Sequence, residues 1–290
     1  HDALPISRQK AAPCRFCSFQ ICTIKHFFYI FCLKNLCSVR IMGKEILRRP
    51  EAGPLCPAVK DGSERRTFMA HLCSTQALFD LSRTMAAPLL AGTTFPWEAL
   101  AGLEKFIFQL GESLSSEQYE RMGDYVWAAK TARIAKSAYL GGPCIIGPGT
   151  EVRHGAFIRG AALVGEGCVV GNSVELKNCV LFDGAQVPHF NYVGDSVLGW
   201  KAHLGAGAVT SNVKSDKSLV VVKAAGEELP TGRKKVGAMV GDGAEVGCNS
   251  VLCPGSVLGR GAQVYPTSCV RGYVPENHIY KAAGNIVARR

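Results

Sequence analysis

A chain of 290 residues, 47% of them apolar, is long enough for one large domain or two ordinary ones and for a substantial buried core. The formal charge of +10 is unevenly spread: residues 1–68 hold twelve Lys or Arg against five Asp or Glu, leaving 21 against 18 for the remainder. A basic-surface function, with nucleic acid or anionic lipid as partner, therefore rests on the first segment alone and is not expected of the rest.

Residues 1–68 do not read as a domain. They begin "HDALPIS", which resembles a translated sequencing adapter, and the apolar bursts that follow are broken by Lys25, His26 and Lys34 before any run could span a bilayer. The segment is expected to be non-native or disordered, with Met69 as the native start. Cys14 and Cys17 form a C-x-x-C spacing that zinc could use, against the plainer reading of unfolded read-through. The six cysteines after Cys73 are scattered without paired spacing, as expected of small buried residues in a reducing cytoplasm.

From Phe95 the pattern is helical, with Leu100, Leu103, Ile107 and Leu110 at three- and four-residue intervals. The following Ser-rich stretch is expected to continue as helix or loop and to become extended by residue 140, so that 69–140 form a short N-terminal helical cap.

From Cys144 the period becomes six. Ile146, Val152, Ile158, Val164, Val170, Leu176 and Phe182 follow one another at that spacing; Leu198 and Leu204 keep it, as do Val240, Val246, Leu252, Leu258, Val264 and Val270. Four residues beyond each stands a mostly small or medium residue, such as Thr150, Ala156, Ala202, Ala244 or Ser250, and glycine often follows the aliphatic. A short strand with one inward aliphatic, a corner with room only for a small residue, and three such sides per coil make a parallel β-solenoid over residues 141–275, followed by a tail at 276–290. Two stretches leave the beat: "AQVPHFNYVGDS" (185–196), and residues 211–235, a lysine-rich insertion expected to project as a binding loop.

The stretches "VGNSVELKN", "VPHFNYVGDS", "HLGAGAVTSN" and "VGCNSVLCPGSVLG" together resemble the hexapeptide-repeat acyltransferases, and within them the C-terminal acetyltransferase half of the bifunctional UDP-N-acetylglucosamine pyrophosphorylase / glucosamine-1-phosphate N-acetyltransferase family. The resemblance implies an all-β solenoid of the left-handed parallel β-helix type, a homotrimer with its sites between subunits, and acetyl transfer from acetyl-CoA to the amine of an amino sugar phosphate. It implies His189 as the catalytic base. Arg159, Lys177, Tyr192, His203, Asn212 and Lys217 are implied on the substrate, with Lys214 competing for the last place. Cys248, Cys253 and Arg271 are implied on coenzyme A. The chemistry of these residue types suits the roles: a neutral imidazole accepts an amine proton at neutral pH, and guanidinium and ammonium groups hold phosphate. The break at 185–196 is then expected because a side chain aimed at substrate cannot also fill the inward slot.

Plainer readings stand beside these. A histidine in a turn is commonly a solvated one, and Arg159 and Lys177 could simply reach into solvent. His203 stands where the family has asparagine and Val213 where it has tyrosine, which leaves the substrate less fixed than the reaction and admits a non-catalytic sugar-nucleotide binder or scaffold. A zinc hydratase on His154, His189 and His203 is a further alternative, although no close histidine pair follows His189. No metal site, nucleic-acid partner or membrane association is expected. Uridyl transfer is not expected either, since no glycine-rich phosphate loop with an acidic metal site precedes the repeats.

Overall fold

The computed structural model describes residues 67–68, 70–224 and 227–289. The Cys14–Cys17 spacing and the Met69 start lie outside the described residues. Short helices, among them α1 (Thr75–Leu78), α2 (Ala87–Ala91), α3 (Pro96–Ala99) and α4 (Leu103–Ser113), precede a β-solenoid of short, mostly parallel strands. No helix among the described residues is long and apolar enough to cross a membrane.

Each coil contributes one strand to each of three faces. Cys144–Ile146, Ala162–Val164, Ala238–Val240 and Ser256–Leu258 belong to the first face; Glu151–Val152, Val169–Asn172, Gln186–His189 and His203–Leu204 to the second; Phe157–Ile158, Val209–Thr210 and Val251–Leu252 to the third. Glu175–Leu181 and Tyr192–Leu198 run from the third face into the first and pair with each other in parallel. At each end of the stack one face is closed by an antiparallel hairpin, Tyr119–Gly123 with Val126–Ala129 at the start and His278–Ala282 with Asn285–Ala288 at the finish, so that this face does not end in a bare parallel edge. The Ser-rich stretch after α4 thus becomes the first hairpin.

The hexad aliphatics fill the interior. Ile146, Val164, Leu181, Leu198, Val240 and Leu258 stack in one row; Val152, Val170, Val187, Leu204 and Val246 in a second; Ile158, Leu176, Val193 and Leu252 in a third, all buried in one cluster. Phe182 is not in this prism. The inward residue is Leu181, and the slip in the beat falls at Leu176–Leu181 and again at Val193–Leu198, not in "PHFNY", where Val187 and Val193 keep the six-residue spacing. The reason is corner length. Ile158 to Val164 turns through two left-handed residues, Gly160 (φ 106°) and Ala161 (φ 48°), whereas Leu176 to Leu181 and Val193 to Leu198 each turn through one, Asn178 (φ 47°) and Asp195 (φ 48°). Asn and Asp tolerate that conformation. A corner one residue shorter moves Phe182 outward, where its ring lies 5.1 Å from that of Phe79.

A second core covers the first face from outside. Ile145, Leu163, Val180, Val197, Met239 and Val257, one per coil, pack under Leu78, Leu90, Trp97, Leu103 and Ile107. The helical segment runs lengthwise and opposite to the winding. Gln76–Asp80 meet the late coils, where Arg260 donates to the Ala77 and Gln76 carbonyls at 3.0 Å and Asp242 accepts the Asp80 N–H at 2.7 Å. α4 lies on the early coils. The insertion also differs from a projecting loop: Val221–Ala224 and Glu227–Pro230 form an antiparallel hairpin whose Val220, Val222 and Leu229 are buried in the same outer core. Apolar alternation in "LVVVKA" gives it a face to bury.

Candidate functional site

Strands of successive coils stand about 4.8 Å apart, so residues in register form columns up a face. On the third face Glu175 pairs with Phe157 and Tyr192, and Tyr192 with Val209; one residue past the inward row, Lys177 pairs with Gly194. Arg159 occupies that outer column one coil below Lys177. The bare Gly194 is required: a Cβ there would lie 2.4 Å from the Tyr192 phenol oxygen, so the missing side chain lets the tyrosine lie across its own strand.

Asp195 is the hub. Its carboxylate, with the side chain 3% exposed, accepts from Asn212 Nδ2 at 2.5 Å and Asn178 Nδ2 at 2.7 Å and faces Lys177 Nζ at 3.7 Å. Asn212 Nδ2 also donates to the Tyr192 phenol oxygen at 3.3 Å. One coil below, Arg159 Nη1 meets Glu175 Oε1 at 2.7 Å. Burial first, and then the carboxylates of Asp195 and Glu175, push the Tyr192 phenol above its ordinary value. The Glu175 hydrogen bond and charge raise the Arg159 guanidinium further. Arg159 and Lys177 open on a cleft of about 340 Å³ whose other wall is the α3–α4 turn and Glu104 of α4.

His189 ends the strand before this face, opposite Asn172. Its ring is exposed and makes no hydrogen bond among the described residues. The corner is held instead by the buried Asn191, whose Oδ1 accepts the His189 N–H at 3.1 Å while its Nδ2 donates to the carbonyls of Gly205 and Ala208. Phe190 between them takes φ 52° and is 62% exposed. His189 and Phe190 are thus presented outward by a polar staple.

Four of the sequence-derived residues, Arg159, Lys177, Tyr192 and Asn212, stand together on the third face and its corner. Cys253 and Arg271 stand higher in the same column, since Leu252 pairs with Val270. Cys253 Sγ lies 3.5 Å from Cys269 Sγ, and burial, then that neighbour, pushes its thiol up to about 11. Cys248 is exposed at the other corner, in the column of His189, and Cys269 is exposed too, contrary to the expectation of uniformly buried thiols. His203 is on the second face, its Nδ1 2.8 Å from Glu245 Oε2, beside a different cleft lined by Gln186 and Lys201. Lys217 sits in an exposed turn of the insertion at φ 58°. Lys214 is tied to Ser218 and Asp216. His154 shares its corner column with His189 but bonds Ser137 at 2.7 Å. Among the described residues no three His, Cys, Asp or Glu side chains converge as metal ligands would.

Asp195, Asn178 and Asn191 escaped sequence reasoning. The signal was present: Asp195 stands third in "VGDS", Asn178 closes "ELKN", and Asn191 sits where the hexad calls for a small residue.

Comparison with known proteins agrees with the motif resemblance. Residues 124–226 match a family model described as the GMPPB C-terminal domain. The bifunctional sugar-1-phosphate nucleotidylyltransferase/acetyltransferase of Sulfurisphaera tokodaii is 36% identical over 109 residues, covering 38% of this chain and 27% of that protein. The bifunctional protein GlmU of Methanococcus maripaludis is 27% identical over 136 residues, covering 47% of this chain and 33% of its own. The chain therefore spans about a third or less of these relatives' length. A solved N-acyltransferase from Bacillus cereus, AntD, is similar at 17% identity with a TM-score of 0.31, covering 57% of this chain and 81% of that one.

Proposed function

We propose, from the similarity of the repeats to bifunctional nucleotidylyltransferase/acetyltransferases, that this chain transfers an acetyl group from acetyl-CoA to the amine of an amino sugar phosphate of the glucosamine-1-phosphate kind, feeding nucleotide-sugar synthesis in the cytoplasm. The observation that carries the proposal is the convergence of Lys177, Tyr192 and Asn212 around Asp195, with Arg159 held by Glu175 one coil below. Two cations suit a phosphate, and a phenol and an amide suit sugar hydroxyls.

In the proposed reaction the substrate nitrogen attacks the thioester carbonyl, the imidazole of His189 takes the proton that the nitrogen loses, and the C–S bond breaks to release coenzyme A as thiolate, which that proton neutralises. Arg271, exposed on the third face, is suited to the phosphates of coenzyme A. His189 stands one corner before the cation column, so this reading has a homotrimer, with a neighbouring copy completing the site. Exposed apolar side chains at the two ends of one column on the third face support such packing: Tyr139 (61% exposed) and Phe157 (43%) on early coils, with rings 5.4 Å apart, and Val251 (36%) on a late one. The full chain incubated with glucosamine 1-phosphate and acetyl-CoA should give the N-acetylated sugar phosphate by mass spectrometry. Absence of product with every amino sugar phosphate offered would refute the proposal.

A second reading, a non-catalytic sugar-nucleotide-binding β-helix, is favoured by one observation: His203, at the family's asparagine position, is engaged by Glu245 and lies on another face than Tyr192 and Asn212. Calorimetry separates the two, because the second reading has the sugar ligand binding while acetyl-CoA does not.

A further inference from the structure

The cleft beside Arg159 and Lys177 has a third cation, Arg233, which the inserted hairpin contributes. The backbone fixes it. Arg233 N–H donates to Thr231 Oγ1 at 3.2 Å, and its carbonyl accepts from Val220 N–H at 2.8 Å. Its side chain differs from those of its two neighbours. Arg159 is paired with Glu175 and Lys177 with Asp195, whereas Arg233 has no carboxylate partner among the described residues. Its Nε is buried and has no acceptor. A buried donor without an acceptor is destabilising, more so when charged, and is retained where something else supplies the acceptor. The groups around it make that missing partner an oxyanion. Asn178 Nδ2 is committed to Asp195, and Leu100, Ala101 and Pro143 offer apolar wall.

Across the cleft stands Glu104, exposed and in no ion pair among the described residues. It repels a ligand that is anionic throughout and accepts from hydroxyls, so the cleft selects a compact phosphorylated polyol over a polyanion such as nucleic acid. We infer that Arg233 completes, with Arg159 and Lys177, a subsite for the phosphoryl group of a sugar phosphate, and that the insertion packs onto the first face in order to hold this arginine against α4. The inference rests on the proposed substrate class only for its choice of probe.

The test is calorimetric titration of the full chain with glucosamine 1-phosphate, with inorganic phosphate and with unphosphorylated glucosamine. Arg233→Gln should weaken glucosamine 1-phosphate binding at least tenfold and Arg233→Lys should restore part of it, with glucosamine binding unchanged. Ala101→Glu, an exposed wall substitution that leaves Arg233 and its packing intact, should weaken the same ligand comparably, so the outcome does not depend on how Arg233→Gln folds. Affinity equal to that of the unaltered chain in both Arg233→Gln and Ala101→Glu, or binding of neither phosphate by the unaltered chain, overturns the inference. Acetyl transfer by Arg233→Gln with an unchanged KM for the sugar phosphate overturns the subsite while leaving the transferase reading intact. Arginine-dependent binding without any acetyl transfer overturns the transferase reading and upholds the subsite.

Discussion

The amide of Asn212 donates to the carboxylate of Asp195 across 2.5 Å, joining the second residue of the insertion to a coil corner seventeen positions earlier. The same carboxylate receives Asn178 and faces Lys177, so one buried charge sets the direction of three side chains on the proposed substrate face. Asp195→Ala should therefore lower stability by roughly 2–4 kcal/mol in urea denaturation, because two amide groups and an ammonium lose their acceptor. It should also raise KM for the sugar phosphate more than it lowers kcat. A KM equal to that of the unaltered chain would show that the hub does not position substrate.

His189 is the opposite case, an exposed ring without a partner among the described residues. His189→Ala should leave the melting temperature within about 1 °C while kcat falls by about 10²–10⁴, the usual contribution of a general base. Retention of full activity would remove His189 from the mechanism.

Gly171 tests the stacking itself. A Cβ at this position would stand 1.6 Å from the Pro188 carbonyl oxygen of the next coil, where strand pairing leaves no slack. Gly171→Ala should cost about 3 kcal/mol or more by forced separation of two coils, measured as a lowered urea midpoint. Gly149→Ala, with nothing within 4 Å but φ 64°, should cost about 1 kcal/mol from backbone strain alone.

The buried thiols fix an alkaline limit. Burial pushes Cys144 and Cys168 from 9.0 up to about 12 and raises Cys179 as well. These groups keep their protons in the folded chain at pH values where the unfolded chain releases them. Stability is therefore unaffected by them below pH 9 and falls as pH rises from 9 toward 12, by on the order of 1.4 kcal/mol per pH unit for each thiol. Urea midpoints at pH 8 and pH 10 should differ accordingly, and replacing all three by Ala should flatten the slope.

The six-residue beat by itself determined the solenoid, its three rows of aliphatics and the columns that follow from them, because one inward side chain per short strand is a local requirement that composition cannot disguise. It also determined that Arg159 and Lys177 would stack, since eighteen residues make one turn. It could not decide between Leu181 and Phe182 as the inward residue. Both are apolar, and the choice was made by a corner that turns on Asn178 alone. Nor could it assign a place to the helices and the lysine-rich insertion, whose apolar faces join the outward row that runs from Ile145, Leu163, Val180 and Val197 to Met239 and Val257. Asp195 and Arg233 became legible only in three dimensions. The carboxylate gains its significance from partners brought in by separate coils, and the arginine from a wall formed by a helix more than a hundred residues away. Periodicity encodes what each strand does to its immediate neighbours; the burial of a charge depends on everything that closes over it.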